Sequence, residues 1–387
     1  MRLHLQNMAY TFAVYHSIQD LPEAFKNRVL ICKGIDMVEK ANVPNIQNYY
    51  VITYEGTNAI YFAYFQLLSV KTIHFNLGDK KIQQLALCTV VQLLKPTLLV
   101  VGNLFRHDAL FFQYNQNDFS PEKKAEIYQA TVDHMVAYTN ASGIFLKDVD
   151  PSNAKFIQAG NSYTPMLEDI SMEMNLPAHW LTFSDYKNEL KHKYVQRCKK
   201  IRKSFKDVQI RELSLEDVEK YSIEMEQLYL QVTQKQLVSM GILNPIFFVE
   251  MKKVLQENYK VCGYFYQDRL IAFSSAILHD DEFDMNYIGF DYTLNSSLNL
   301  YFNILFYCLE HAISLGRKKL VLGRTAPEAK AILGCEPDYR FSYYKLRNVI
   351  VNWFYQMVAG YFKEQQGDSW KDRHPFKSSY YTKEKSA

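Results

Sequence analysis

The stretch from Glu282 to Gly334 constrains the fold more than any other part of the chain. Asp284–Tyr292 (DMNYIGFDY) is rich in aromatic and β-branched residues, as a sheet strand is. A run of Asn, Ser and Thr follows at 293–297, suited to a turn and a helix N-cap. Tyr301, Ile304, Leu305, Cys308 and Ala312 then fall on one face at helical spacing. Gly316 stops this helix, with Arg317, Lys318 and Lys319 at its C-terminal end, where cations suit the dipole. Lys319–Leu322 is short and apolar, as a buried parallel strand is. The run GRTAPEAKAILG, Gly323 to Gly334, closes the unit. Strand–loop–helix–strand order aims backbone N–H groups at the helix N-terminus, where phosphate binds readily.

Of 387 residues, 48% are apolar and 22% charged, which predicts a globular chain with core enough for two lobes. A net charge of only +3 excludes a uniformly basic, nucleic-acid-coating protein; any basic surface must be local. The cysteines (Cys32, Cys88, Cys198, Cys262, Cys308, Cys335) form no C-x-x-C pair, and the histidines have no zinc spacing. Reduced thiols in a cytoplasmic protein without a metal are the simplest reading. The N-terminus has no signal-like apolar segment, and no apolar run reaches the roughly 18 residues of a membrane span.

Upstream, Asp20–Lys40 reads as helical, and Tyr49–Tyr54 and Ala59–Leu68 as a hairpin about Gly56. Lys81–Leu94 is a helix, Thr97–Val101 a buried strand, and Gly102-Asn103 its turn. Ser120-Pro121-Glu122 opens a helix to about Asn140, and Gly143–Lys147 is the next strand. These make an N-terminal lobe at 1–150. Residues 151–180 read as a crossover with one strand at Ile170–Met174. A second lobe spans 181–365, and residues 366–387 read as a flexible tail. The second lobe opens with a basic helix that includes Lys193, Arg197, Lys199, Lys200 and Lys203. Strands at Val208–Glu212, Tyr259–Tyr266, Leu270–Leu278 and Tyr339–Leu346 complete it, with a helix from Ser214 and another after Asn244-Pro245. The fold class is α/β (α+β).

This order resembles the GNAT acyltransferase fold. Lys193-Tyr194-Val195-Gln196-Arg197-Cys198-Lys199-Lys200 resembles the Lys/Tyr/Arg-rich helix of Fem-type peptidyltransferases, with Val195 where Arg is typical. The runs GNLF (Gly102–Phe105), GFDY-x-x-N (Gly289–Asn295) and GRTA-x-E-x-K-x-x-x-G (Gly323–Gly334) resemble a bacterial GNAT-like, FemAB-like group over most of residues 20–350. The resemblance implies tandem GNAT-like lobes, each a mixed and mostly antiparallel sheet flanked by helices. It implies acyl transfer to an amine, with acyl-CoA as co-substrate and no tightly bound cofactor. Aminoacyl transfer from tRNA and a non-catalytic binding lobe are the rivals. The usual acetyl-CoA loop, Arg/Gln-x-x-Gly-x-Gly/Ala, is absent, because 293–298 contains no Gly.

Attack of an amine on a thioester needs backbone donors, a base, and an acid for the leaving thiolate. Asp291 and Tyr292 are the catalytic candidates; as residue types they equally suit a strand-end cap and a core aromatic. Gly323, Arg324, Thr325, Lys330, Gly334 and Asn295 are candidates for donor binding, with Arg324 and Lys330 expected to converge on one anion. Tyr194, Arg197 and Lys200 are candidates for gripping a polyanionic substrate; a solvated helix face is the plainer reading.

Overall fold

The computed structural model describes residues 10–26, 35–105, 112–115, 119–149, 163–165, 169–236, 238–347, 352–353 and 373–380. The chain divides into two compact units, the first from 1–167, 236–247 and 341–361, the second from 168–235, 248–340 and 362–387.

The first unit contains β1 (Tyr10–Tyr15), α1 (Ile35–Lys40), β2 (Ile46–Glu55), β3 (Asn58–Ser69), α2 (Lys81–Leu94), β4 (Thr97–Val101), β5 (Phe112–Tyr114), α3 (Pro121–Thr139), β6 (Gly143–Val149) and β7 (Thr164–Pro165). Its sheet runs β1-β2-β3-β4-β6, with β5 added to β3. All pairs are antiparallel except β4 with β6. The helix boundaries follow local chemistry. Ser120 Oγ accepts the N–H of Lys123 at 3.3 Å, Pro121 takes the first helical position, and Asn140 ends α3 in the left-handed region. Ile127, Val132 and Met135 of α3 bury against Val51, Ala63 and Leu99 of the sheet.

The second unit contains β8 (Asp169–Asn175), α4 (Phe183–Glu189), α5 (His192–Lys203), β9 (Gln209–Glu212), α6 (Leu215–Thr233), α7 (Pro245–Leu255) from its fourth residue on, β10 (Tyr259–Tyr266), β11 (Arg269–Leu278), β12 (Glu282–Phe290), α8 (Tyr292–Leu298), α9 (Leu300–Ser314), β13 (Lys319–Gly323), α10 (Pro327–Ala331) and the start of β14 (Glu336–Leu346). Its order is β14-β8-β13-β12-β11-β10-β9. Among the described strands of this unit only β12 and β13 run parallel. The later half of β14 pairs with β6 and β7 in the first unit's sheet. Each unit is therefore a mixed, mostly antiparallel sheet flanked by helices, as tandem GNAT-like lobes require.

The tight β10–β11 turn uses Gln267 and Asp268 at positive φ, the hairpin geometry that matches strand twist. Helix α9 buries Ile304, Leu305, Leu309 and Ala312 in the core, the stripe its spacing predicts. Helix α6 lies so close to β12 that a Cβ on Gly289 would sit 2.5 Å from the backbone N of Tyr229.

Three sequence expectations need correction. The run 293–297 is not a loop: it forms α8, because Asp291 caps it. The second unit begins at 168 rather than 181, since β8 is an interior strand with Met172 and Met174 buried. The expected tail is packed where it is described: Phe376 and Tyr380 are buried beside Trp180, their rings stacked on each other. Burial of three aromatic rings outweighs the polar composition of the surrounding segment.

Gly289→Ala should cost about 1–3 kcal/mol, because the added methyl meets backbone that cannot rotate away. Urea unfolding checks this; an unchanged midpoint would mean that α6 shifts freely over β12.

Candidate functional site in the second unit

Strands β12 and β13 pair in parallel only through Glu282–Lys319, Phe283–Leu320 and Asp284–Val321. Strand β12 continues to Phe290 without a strand partner on that edge among the described residues. Beyond Asp284 this edge carries backbone groups that the sheet leaves unused.

Past β12 the chain turns directly into α8. Asp291 is buried and caps α8, accepting from the N–H of Thr293 at 2.9 Å and from its hydroxyl at 2.5 Å. Arg269 forms an ion pair with its other oxygen. Burial alone would raise this carboxyl's pKa, but the donors of Thr293 and the charge of Arg269 hold it below the ordinary value. Asp291 is thus a committed anion and a weak base. Tyr292 is half-buried, its ring 4.6 Å from that of Phe290 and its N–H on Gln231 at 3.1 Å. Burial pushes its phenol upward.

Asn299 adopts the left-handed conformation between α8 and α9. Asn295 accepts the N–H of Tyr301 at 3.0 Å, so a donor that a phosphate would use at the start of α9 is already taken. Asn303, 0% exposed, donates its amide to the carbonyls of Ile201 (3.1 Å), Leu298 (3.0 Å) and Asn299 (3.2 Å). Ser204 donates to Leu298 O at 2.9 Å and accepts from Asn299 at 3.1 Å. These bonds fasten the C-terminal end of α5 to the α8–α9 junction.

Helix α5 turns Cys198 and Ile201 inward and leaves Lys193, Arg197, Lys199, Lys200 and Lys203 exposed. No ion pair to an acid joins these five among the described residues, whereas Arg202 pairs with Glu310. The guanidinium of Arg197 lies 5.0 Å from the ring of Phe302, in the first turn of α9. Tyr194 packs partly into the core, with the ammonium of Lys193 5.0 Å from its ring centre. Arg197 is therefore held at the α9 N-terminus, while Lys200 stands in solvent.

Past β13 the run Gly323–Gly334 folds inward. Ala326 is left-handed, Pro327 opens α10, and Lys330 is only 1% exposed. Its ammonium donates to the carbonyl of Gly323 at 3.0 Å. Burial pushes its pKa down to about 7, with the neighbouring Cys335 thiol opposing. The structure thus does not bring Lys330 and Arg324 to a shared external anion: Lys330 closes the loop on itself. Arg324 is half-buried and Thr325 exposed. Gly334, at φ +108°, lies against Phe376, whose ring would be 2.3 Å from any Cβ there.

Sequence reasoning did not single out Tyr301. Its hydroxyl is buried without a hydrogen-bond partner among the described residues, and burial raises its pKa strongly. Its ring lies 6.0 Å from Phe290. A buried, unsatisfied hydroxyl is the kind of atom a ligand satisfies. Only its helical spacing was visible, and that placed it in the core.

No protein-family model and no curated protein matches this sequence. Solved structures match in fold. A tandem GNAT protein from the clavulanic acid biosynthesis pathway is similar over 88% of this chain and 99% of its own, at 9% identity and a TM-score of 0.50. FemX matches over 84% of this chain and 93% of its own, at 9% identity and 0.47. A protein of unknown function from Bacteroides thetaiotaomicron VPI-5482 matches over 84% and 97%, at 9% identity and 0.46. The fold is that of tandem GNAT-like lobes.

Lys330 titrates near 7 when folded and at its ordinary 10.5 when unfolded. Between these values the unfolded chain holds more protons, so stability rises with pH. Buried thiols, Cys335 pushed up to about 12 and Cys262 to about 11, act the other way once free thiols ionise. Melting temperature should therefore climb between about pH 7 and 8.5, and Lys330→Met should flatten that climb. An equal slope in the variant would show that Lys330 is not the group responsible.

Proposed function

We propose that the chain is a GNAT-type N-acyltransferase that moves an acyl group from acyl-CoA to an amine, using its second unit. The observation that carries this reading is the edge of β12 left without a strand partner beyond Asp284. Backbone donors on such an edge orient an acyl carbonyl and stabilise the oxyanion that forms on attack. The amine nitrogen attacks the thioester carbon, the C–S bond breaks, and the thiolate takes a proton. Tyr301 is the acid in this scheme, beside Tyr292; the amine's proton leaves to water, and the Tyr301 phenolate takes a proton back from water, so that phenol and amide are both neutral at the end. Asp291 positions α8 rather than acting as base. Arg324 and Thr325, just past β13, contact the donor, within the frame set by Gly323, Lys330, Gly334 and Asn295. Tyr194, Arg197 and Lys200 take its phosphates, replacing the N–H donor that Asn295 occupies.

Aminoacyl transfer from tRNA is the second reading, favoured by the five exposed cations of α5. Titration calorimetry with acetyl-CoA, longer acyl-CoAs and tRNA separates the two. Acyl-CoA should bind, and Arg197→Glu with Lys200→Glu should weaken it about tenfold or more, as loss of charged hydrogen bonds does. Tyr301→Phe should lower kcat about 100-fold with KM little changed. Tight tRNA binding without acyl-CoA binding would favour the second reading. Binding of neither would sink both and leave a non-catalytic lobe.

A further inference from the structure

Helix α2 of the first unit has two apolar faces, and only one is used. Leu87 and Val91 point into the protein. On the same side Gln84 accepts the N–H of Leu77 at 2.8 Å and donates to Phe75 O at 3.1 Å, fixing the helix to the preceding turn. The opposite face carries Ile82, Leu85, Ala86, Thr89 and Leu93, spaced as one stripe on a helix. Ile82 is 84% exposed, Leu85 70% and Leu93 76%. Ile73, 61% exposed, adds to them from the short turn packed beside α2. Lone exposed aliphatics are ordinary, but a contiguous stripe of them marks a contact surface.

The charges around the stripe decide what it contacts. Residues 71–95 contain Lys71, Lys80, Lys81 and Lys95 against the single acid Asp79. His74 adds no charge, because burial pushes its pKa down to about 4. The lysines lie before the helix, at its first turn and just after its last. A second copy seated on this face, parallel or antiparallel, would set lysines against lysines with no acid on the helix to answer them. Apart from Thr89, whose hydroxyl is turned back onto Leu85 O at 2.9 Å, the stripe is aliphatic, without the Trp, Tyr or Arg that anchors protein partners in pockets. Aliphatic side chains between terminal lysines are the pattern of a helix lying in a lipid interface, its ammonium groups reaching the headgroups. We propose that α2 docks the protein peripherally on an anionic lipid surface. No helix among the described residues is long and apolar enough to cross a membrane, so the contact is interfacial.

The test is flotation of the full chain with vesicles of pure phosphatidylcholine and with vesicles containing about one third phosphatidylglycerol. Binding should need the anionic lipid and fall with salt. The variant Ile82→Ser/Leu85→Ser/Leu93→Ser should bind at least about tenfold more weakly, since each lost aliphatic removes buried apolar area. Lys81→Glu/Lys95→Glu should weaken binding by about tenfold or more. All five positions are exposed in the structure, so melting temperatures should stay unchanged, which separates lost docking from lost folding. Absence of vesicle binding would overturn the proposal. So would binding that survives both variants but is lost in Arg197→Glu/Lys200→Glu, which would move the contact to α5. A concentration-dependent dimer in sedimentation, abolished by the serine variant, would assign the face to a second copy instead.

Discussion

The parallel pairing of β12 with β13, and its end after three residue pairs, is the constraint on which the second unit depends. Two parallel strands need a crossover, and α8 with α9 supplies it. Because the pairing stops at Asp284 and Val321, the crossover begins well beyond the last shared rung. The chain reaches α9 only after β12 has run on to Phe290 and turned through α8. The acyl-handling part of the proposed site lies along this parting, in the open edge of β12, the aromatic group of Phe290, Tyr292 and Tyr301, and the loop after β13, whereas the proposed phosphate contacts come from α5. A strand pair that stayed joined to its end would leave no unused backbone there.

The loop after β13 is held from inside. A buried ammonium is costly unless its hydrogens are used, and Lys330 spends one on Gly323 O. The bond ties the first residue of the run to the fourth residue of α10. At the other end Gly334 admits the ring of Phe376, and the Tyr186 hydroxyl donates to Leu333 O at 3.0 Å. The loop is thus tied at both ends, which does not suit a lysine reaching outward.

How much of this was legible varies with the range of the interaction that decides it. Helix α3 was legible because Ser120, Pro121 and Glu122 act within one turn. The hairpin β2–β3 and the meander β10–β11–β12 were legible from aromatic and β-branched runs and from turn residues. Strand β1 was not: its pairing with β2 is made across more than thirty residues of intervening chain. Of the site, Gly323, Lys330 and Gly334 were visible as a pattern, but the pattern does not say that Lys330 points inward, because that depends on what covers it. Asn303 and Ser204, which join α5 to the α8–α9 junction, carry no local signal at all. They act across roughly a hundred residues of sequence. The packed segment around Phe376 was hidden for the same reason, since its partners Trp180 and Tyr186 lie in α4 and the turn before it.

The missing glycine-rich loop is better understood as a reassignment of donors than as a deletion. A Gly-rich turn would leave the first N–H groups of α9 open to an anion. Here Asn295 takes the N–H of Tyr301, one of the donors at the start of α9 that has no partner within the helix. Backbone recognition of a phosphate at this helix is therefore reduced, and any anion held nearby must be met by side chains. Helix α5 is the element that brings them, and the bonds from Ser204 and Asn303 fix where it does so. Side-chain ammonium and guanidinium groups in solvent are screened by salt far more than donors in a closed backbone nest. The arrangement trades a geometrically exact phosphate cradle for a broader and more salt-sensitive basic surface. On the proposed reading, such a surface takes donors of different shape, provided that each carries several negative charges.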